Sequence, residues 1–309
     1  MDIRTQCAAA VMMIRPAAFD YNPQTAASNR MQAAAQAALD AGKLALAEFD
    51  AAVTALRGAG VQVCVVADTP VPPKPDAVFP NNWVSWHADG TVVLYPMQAA
   101  NRRPERRQEI LEEVAQRCGY RIARVVDLSP FEAQGRYLEG TGSLVLDHVG
   151  RVAFACRSGR TDESLVRHWA DQLDYQPVLF TALDRAGVPF YHTNVMLSIG
   201  CGVAVVAADA IVPADRERVL AALASGSRDI IPIDQAAVAA CAGNMLELLN
   251  GNGQRVCVLS AHAQRMLPAS ALGRLAAGTD RLLPLAIPTI ERLGGGSVRC
   301  MLAEVFSSA

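Results

Sequence analysis

The 309-residue chain has little net charge: 28 lysines and arginines against 30 aspartates and glutamates leave −2. That balance offers no electrostatic footprint for nucleic acid or anionic lipid. No apolar run reaches the roughly 20 residues of a membrane span, and Met1-Asp2-Ile3-Arg4 lacks the basic-then-apolar order of an export signal, so a cytoplasmic protein is expected. The eight cysteines (7, 64, 118, 156, 201, 241, 257, 300) stand singly with no CxxC pair, and the five histidines (87, 148, 168, 192, 262) form no HxxxH or HExxH group. In a reducing compartment such spacing argues against both a zinc site and a disulfide framework. The expectation is therefore no metal and no cofactor, with seven cysteines serving as packing. Nothing in the composition marks a linker, so residues 1–309 read as a single domain, and 51% hydrophobic residues can bury a substantial core. A small-molecule partner remains. The oligomeric state stays open, a homodimer included.

The elements read as α/β. Val11 to Ile14 reads as a first strand, ended by Arg15-Pro16, and the turn-like Phe19-Asp20-Tyr21-Asn22-Pro23 reads as a loop able to line a site. Residues 24–59 have helical spacing and close on glycine near Gly58 and Gly60, before a strand over 61–66. Val71-Pro72-Pro73-Lys74-Pro75 excludes helix and central strand, so a surface loop leads to a hairpin over 84–95. A charged helix is expected from Arg102 to Cys118, with one of its first arginines able to turn inward. Strands then recur near 124–126, 144–146 and 152–156, and a further helix follows Glu163.

Small or polar junctions ahead of apolar strands recur at Asn82, Gly142, Asn194, Asn244 and Val298, with separations of 60, 52, 50 and 54 residues. Five strand-plus-helix units of similar length, with no capping repeat at either end, predict a circular array whose junctions meet at the centre. In the last junction, Gly294-Gly295-Gly296 precedes Ser297-Val298-Arg299-Cys300 and an apolar run ending in Phe306. Cys300 is thereby placed between a flexible turn and a strand. Taken alone it reads as a buried small hydrophobe, as His192 reads as a core histidine and Glu139 as a loop charge.

Pro75 to Trp83, Leu138-Glu139-Gly140-Thr141-Gly142, His192 to Met196 and Gly294 to Phe306 resemble the guanidine-modifying, or amidinotransferase/deiminase, superfamily. The likeness is greatest to its citrulline-utilisation hydrolase branch, and dimethylarginine dimethylaminohydrolase and arginine deiminase are relatives. The resemblance implies a five-bladed α/β propeller with a central active site. It implies Cys300 as nucleophile, His192 as general acid/base and Glu139 as its acidic partner. It also implies Arg102 and Arg160 for a substrate α-carboxylate, with Arg103 as the alternative to Arg102, and Asp76 for an amino or urea nitrogen. A Cys–His pair suits attack on a guanidino or ureido carbon, because the leaving nitrogen must be protonated and water then activated.

The chain departs from arginine deiminases at two positions, where Asn82 and Asn194 stand in place of aspartates. An amide can donate to a carbonyl oxygen, which a neutral ureido group has and a guanidinium lacks. Citrulline is therefore the expected substrate, cleaved through an S-carbamoyl enzyme to ornithine, ammonia and carbon dioxide. The alternatives are an arginine or methylarginine hydrolase, an amidinotransferase, and a non-catalytic amino-acid-binding propeller. Because a neutral substrate brings no cation to the thiolate, His192 is expected to be an imidazolium paired with Cys300 before substrate binds.

Overall fold

A computed structural model describes residues 6–32 and 40–306 of the chain. Its strands form five three-stranded sheets. The first sheet begins with β1 (Ala10–Arg15), parallel to β2 (Gln62–Ala67). Then come β3 (Val84–Trp86), β4 (Thr91–Leu94) and β5 (Arg124–Asp127), followed by β6 (Leu144–Asp147), β7 (Val152–Cys156) and β8 (Gln176–Phe180). The fourth sheet holds β9 (Leu197–Ile199), β10 (Val203–Val206) and β11 (Asp229–Pro232), and the fifth holds β12 (Leu246–Leu249), β13 (Arg255–Ser260) and β14 (Arg281–Leu285). Finally β15 (Ala303–Val305) returns to pair antiparallel with β1, joining the end of the chain to its beginning.

Four sheets repeat one plan, an antiparallel hairpin followed by a helical crossover to a parallel third strand, and the first sheet reproduces it with β15 in the place of the hairpin's first strand. The crossovers carry α1 (Ala41–Gly58), α2 (Leu111–Cys118), α3 (Glu163–Leu173), α4 (Pro213–Ala224) and α5 (Ala269–Gly278). Their apolar residues recur at helical spacing, as Ala45, Phe49, Ala52, Val53 and Leu56 do on α1, and so bury one face. β1 is apolar on both faces because sheet packing covers both. The first strands of the hairpins are neighbours in space: β15 lies beside β3, β6 beside β9, and β9 beside β12. Among the described residues no helix is long and apolar enough to cross a membrane.

Three expectations need correction. The helix expected over 24–59 is a short turn at Pro23–Ala26, capped by the Asn22 side chain, and then α1, while residues 33–39 lie outside those described. The helix expected from Arg102 begins as 3₁₀ turns at Ala100–Glu105 and Gln108–Ile110, because Pro104 has no N–H to donate, and becomes α-helical only at Leu111. The apolar run after Cys300 forms strand only over β15; Cys300 itself lies in a 3₁₀ turn, Val298–Met301.

Turns ahead of the hairpins bring the units together. Those at Pro80–Asn82, Gly140–Ser143, Thr193–Val195 and Val298–Met301 precede β3, β6, β9 and β15, and a turn at residues 241–244 precedes β12. At two of them glycine permits the contact. A Cβ on Gly140, which has φ +48°, would run into the Asn81 carbonyl oxygen, and one on Gly243 into that of Val195.

Gly119 provides an internal control, since it has φ +66° with nothing within 4 Å of a Cβ. Gly119→Ala should cost only the left-handed backbone penalty of about 1–3 kcal/mol. Gly140→Ala should cost clearly more in urea unfolding, because two turns must also part. Equal losses would mean that the junction contact contributes nothing.

Candidate active site

The Cys300 sulfur lies where three turns converge. Its Sγ accepts from Asn244 Nδ2 at 3.3 Å and from Asn194 Nδ2 at 3.7 Å, and Asn244 Nδ2 also donates to the Asn194 carbonyl at 3.1 Å. Both asparagine Oδ1 atoms are buried without a partner. His192, immediately ahead of the Thr193–Val195 turn, has Nε2 2.8 Å from Glu139 Oε2. Glu139 Oε1 accepts from the Gln98 backbone N–H at 2.9 Å, and Arg160 Nη1 donates to Oε2 at 3.3 Å. Cys300, His192 and Glu139 are all buried. A Cβ on Gly142 would stand 2.7 Å from His192 Nδ1 and 2.6 Å from Asn82 Nδ2, so glycine there leaves the imidazole its place.

The electrostatics overturn the expected imidazolium. Burial drives His192 down to about 4, against the pull of the Glu139 carboxylate, so the ring is neutral at pH 7. Burial would raise Glu139, but Arg160 and the His192 hydrogen bond hold it well below the usual carboxylate range. The donors that do reach the sulfur are neutral amides.

Cys300 and His192 share a small cavity of about 10 Å³ with Asp76, Asn82, Arg102 and Arg160. That volume is about one water molecule. Thr25 and Asn29 also line it, so residues 22–32 form its cover. Asn29 Nδ2 donates to the Gly295 carbonyl at 3.2 Å, and Gln32 Nε2 to that of Gly294 at 3.1 Å. The Arg160 fork is turned to the same cover: Nη2 donates to Ser28 Oγ at 2.7 Å and to the Thr25 carbonyl at 3.0 Å. Arg102 spends its Nε–Nη2 edge on Glu105, at 3.0 and 2.8 Å, and its Nη1 on Asn82 Oδ1 at 2.8 Å. Asp76 Oδ2 accepts from Asn22 Nδ2 at 2.7 Å and from Thr25 Oγ1 at 3.1 Å, while its Oδ1 is buried with no partner.

The structure thus gathers Asp76, Asn82, Arg102, Arg160, His192 and Cys300 around one cavity, with Glu139 reached through His192 and Arg160. Asn194 meets the sulfur from a neighbouring cavity. Arg103 is outside, bonded to the Met97 carbonyl and facing Glu132. Reasoning from sequence missed Asn244 as a site residue, although it stands in the same junction position as Asn82 and Asn194. It also missed Glu105, which pairs with Arg102, and the covering residues Thr25, Ser28 and Asn29. Neither Cys300 nor His192 belongs to a group of converging metal-donor side chains among the described residues; Cys7, Cys201 and Glu247 do bring their donor atoms within 4.8 Å of one another.

A family model described as N,N dimethylarginine dimethylhydrolase, eukaryotic, matches residues 15–307. No curated protein matches the chain. Among solved structures, the N-terminal domain of ArgZ is an arginine dihydrolase from the ornithine-ammonia cycle in cyanobacteria, seen as a cysteine-to-serine mutant bound to substrate. It matches with a TM-score of 0.71 at 17% identity over 97% of this chain and 98% of that one. AgrE, as a mutant in complex with L-arginine, matches with a TM-score of 0.72 at 18% identity, over 97% of this chain but 40% of its own. A dimethylarginine dimethylaminohydrolase adduct with 4-chloro-2-hydroxymethylpyridine gives 0.64 at 18% identity, over 96% and 99%. At these identities the likeness is one of fold.

Three histidines set a pH dependence, His192 and His87 buried and His148 half-buried. His192 and His87 fall to about 4 and His148 to about 3, all chiefly through burial, from an ordinary 6.5. Between pH 6.5 and 4 the unfolded chain binds protons that the folded chain refuses, so stability is fully present above 6.5 and is lost as pH falls through that window. Urea unfolding at stepped pH should show this decline, and the His192 ring resonance in NMR should titrate near 4. A midpoint at or above 6.5 would restore the imidazolium.

Proposed function

Because the chain belongs to the N,N dimethylarginine dimethylhydrolase family, and with it to the guanidine-modifying superfamily, we propose that it is a cysteine-dependent hydrolase whose substrate is citrulline. Hydrolysis of a non-peptide C–N bond at a guanidino-type carbon follows from the family. The observation that carries citrulline is the set of amides, Asn82 on the cavity and Asn194 and Asn244 on the sulfur. Arg160 is paired with Glu139 and Arg102 with Glu105, while Asp76, the carboxylate lining the cavity, has Oδ2 3.6 Å from Arg102 Nε and Oδ1 without a partner. A neutral ureido group with a carbonyl oxygen suits amides, and the buried, unpartnered Asp76 Oδ1 suits the α-ammonium.

In this reading residues 22–32 move aside to admit the amino acid, and Arg160, released from Ser28 and Thr25, takes the α-carboxylate bidentately. Arg102 orients Asn82 and borders the same carboxylate. Cys300 Sγ attacks the ureido carbon while the Asn194 and Asn244 amides stabilise its charge. His192, fixed by Glu139, carries the thiol proton to the departing Nδ, so the C–Nδ bond breaks and ornithine leaves. His192 then takes a proton from water as it attacks the S-carbamoyl carbon, and the released carbamate decomposes to ammonia and carbon dioxide. The balance is citrulline plus water to ornithine, ammonia and carbon dioxide, with no cofactor. We read the five sheets as blades of one propeller formed by residues 1–309, with this site at its centre.

A cationic guanidino substrate is the second reading, favoured by the family description and by the arginine bound to AgrE. Ornithine and ammonia release from citrulline, arginine and methylated arginines separates the two. Citrulline should exceed arginine in kcat/KM by at least about ten-fold, or roughly 1.4 kcal/mol of transition-state discrimination. Asn194→Asp should move that ratio toward arginine. Cys300→Ser should abolish turnover with its melting temperature nearly unchanged. Arginine outrunning citrulline would establish the second reading, and turnover by Cys300→Ser would remove the mechanism.

A further inference from the structure

On the segment before β1, Cys7 Sγ lies 3.2 Å from Cys201 Sγ, in the turn between β9 and β10, and 3.4 Å from Glu247 Oε2, on β12. The Cys201 backbone N–H donates to the same Oε2 at 2.7 Å. These side chains are 2%, 9% and 5% exposed, and their ligand atoms all lie within 4.8 Å of one another. The backbone makes room for the carboxylate at Gly200, where a Cβ would come within 2.9 Å of Oε2. Glu247 Oε1 is buried and has no partner. An unpartnered buried carboxylate oxygen is costly unless a cation meets it.

We infer that Cys7, Cys201 and Glu247 bind one Zn²⁺, through two thiolates and the carboxylate, with Oε1 turning onto the ion and water in the fourth position. Thiolate and carboxylate donors in a compact, nearly closed site suit a borderline-soft divalent ion of tetrahedral habit. Zn–S bonds of about 2.3 Å require the two sulfurs to part to roughly 3.8 Å, a change within reach of side-chain rotation. Binding is not redox: Zn²⁺ replaces the two thiol protons, which leave to solvent, and the site's net charge stays at one negative. A disulfide between the same sulfurs would leave Glu247 Oε1 still unpaired, which favours the metal. The ion would join the segment before β1 to the hairpins of the fourth and fifth sheets, away from the reacting sulfur.

The test is metal content. Protein expressed with added zinc and desalted should carry one zinc per chain by mass spectrometry of the element. Cys7→Ser and Glu247→Gln should reduce this at least ten-fold, while Cys300→Ser should keep it, which separates the site from the reactive thiol. Co²⁺ in place of zinc should give an intense thiolate-to-metal band in the near ultraviolet. If the variants prove insoluble, the wild-type Co²⁺ band and the two protons released on zinc addition still decide. Absence of metal and band, loss of zinc in Cys300→Ser alone, or an intact mass lowered by a Cys7–Cys201 disulfide would overturn the assignment.

Discussion

The pairing of β15 with β1 is the constraint on which the site depends. Only three residues of β15 take part, with Ala303 opposite Met12, Glu304 opposite Val11 and Val305 opposite Ala10. Through that register the last turn of the chain, with Cys300, reaches the turns that carry His192, Asn194 and Asn244 from the middle of the sequence. Loop closure over such separations is entropically expensive. The apolar cluster holding Val11, Met13, Val298, Cys300, Met301 and Leu302 offsets that cost by burial. Placing Cys300 and pairing the last strand with the first are the same event.

Within the junctions the governing rule is local charge neutrality. A buried guanidinium or carboxylate alone is prohibitive, so Arg160 sits on Glu139 and Arg102 on Glu105. Pairing has a geometric by-product: Glu139 is fixed by Arg160 and by the Gln98 amide, and in turn fixes the imidazole. Near the sulfur the protein uses amides instead of charges, which adds no ion to be compensated.

Much of this was legible in the sequence. The repeat spacing located all five junctions, because each must supply a tight turn followed by an apolar strand, and that combination leaves a periodic trace. Asn82, Asn194 and Cys300 stood in those junctions, and Asp76, Arg102, Arg160 and His192, which the resemblance singles out, line one cavity. The covering residues Thr25, Ser28 and Asn29 left no such trace, because they act through contacts with residues over a hundred positions away. The neutral state of His192 was likewise illegible: burial sets it, and burial is a property of the packed molecule. Cys7 and Cys201 are 194 positions apart, so no spacing rule could have paired them.

On the proposed function, the hydrogen bonds from Arg160 to Thr25 and Ser28 make the cover a tethered competitor for its own site. A hydroxyl and a carbonyl occupy the fork that an incoming carboxylate would need, and being tethered they cannot be diluted away. Apparent affinity then equals intrinsic affinity multiplied by the fraction of time the cover is released. Every ten-fold preference for the covered state weakens apparent binding ten-fold, about 1.4 kcal/mol. Small changes at Thr25 or Ser28 can therefore tune the concentration range over which the protein responds without altering any group that touches the reacting carbon.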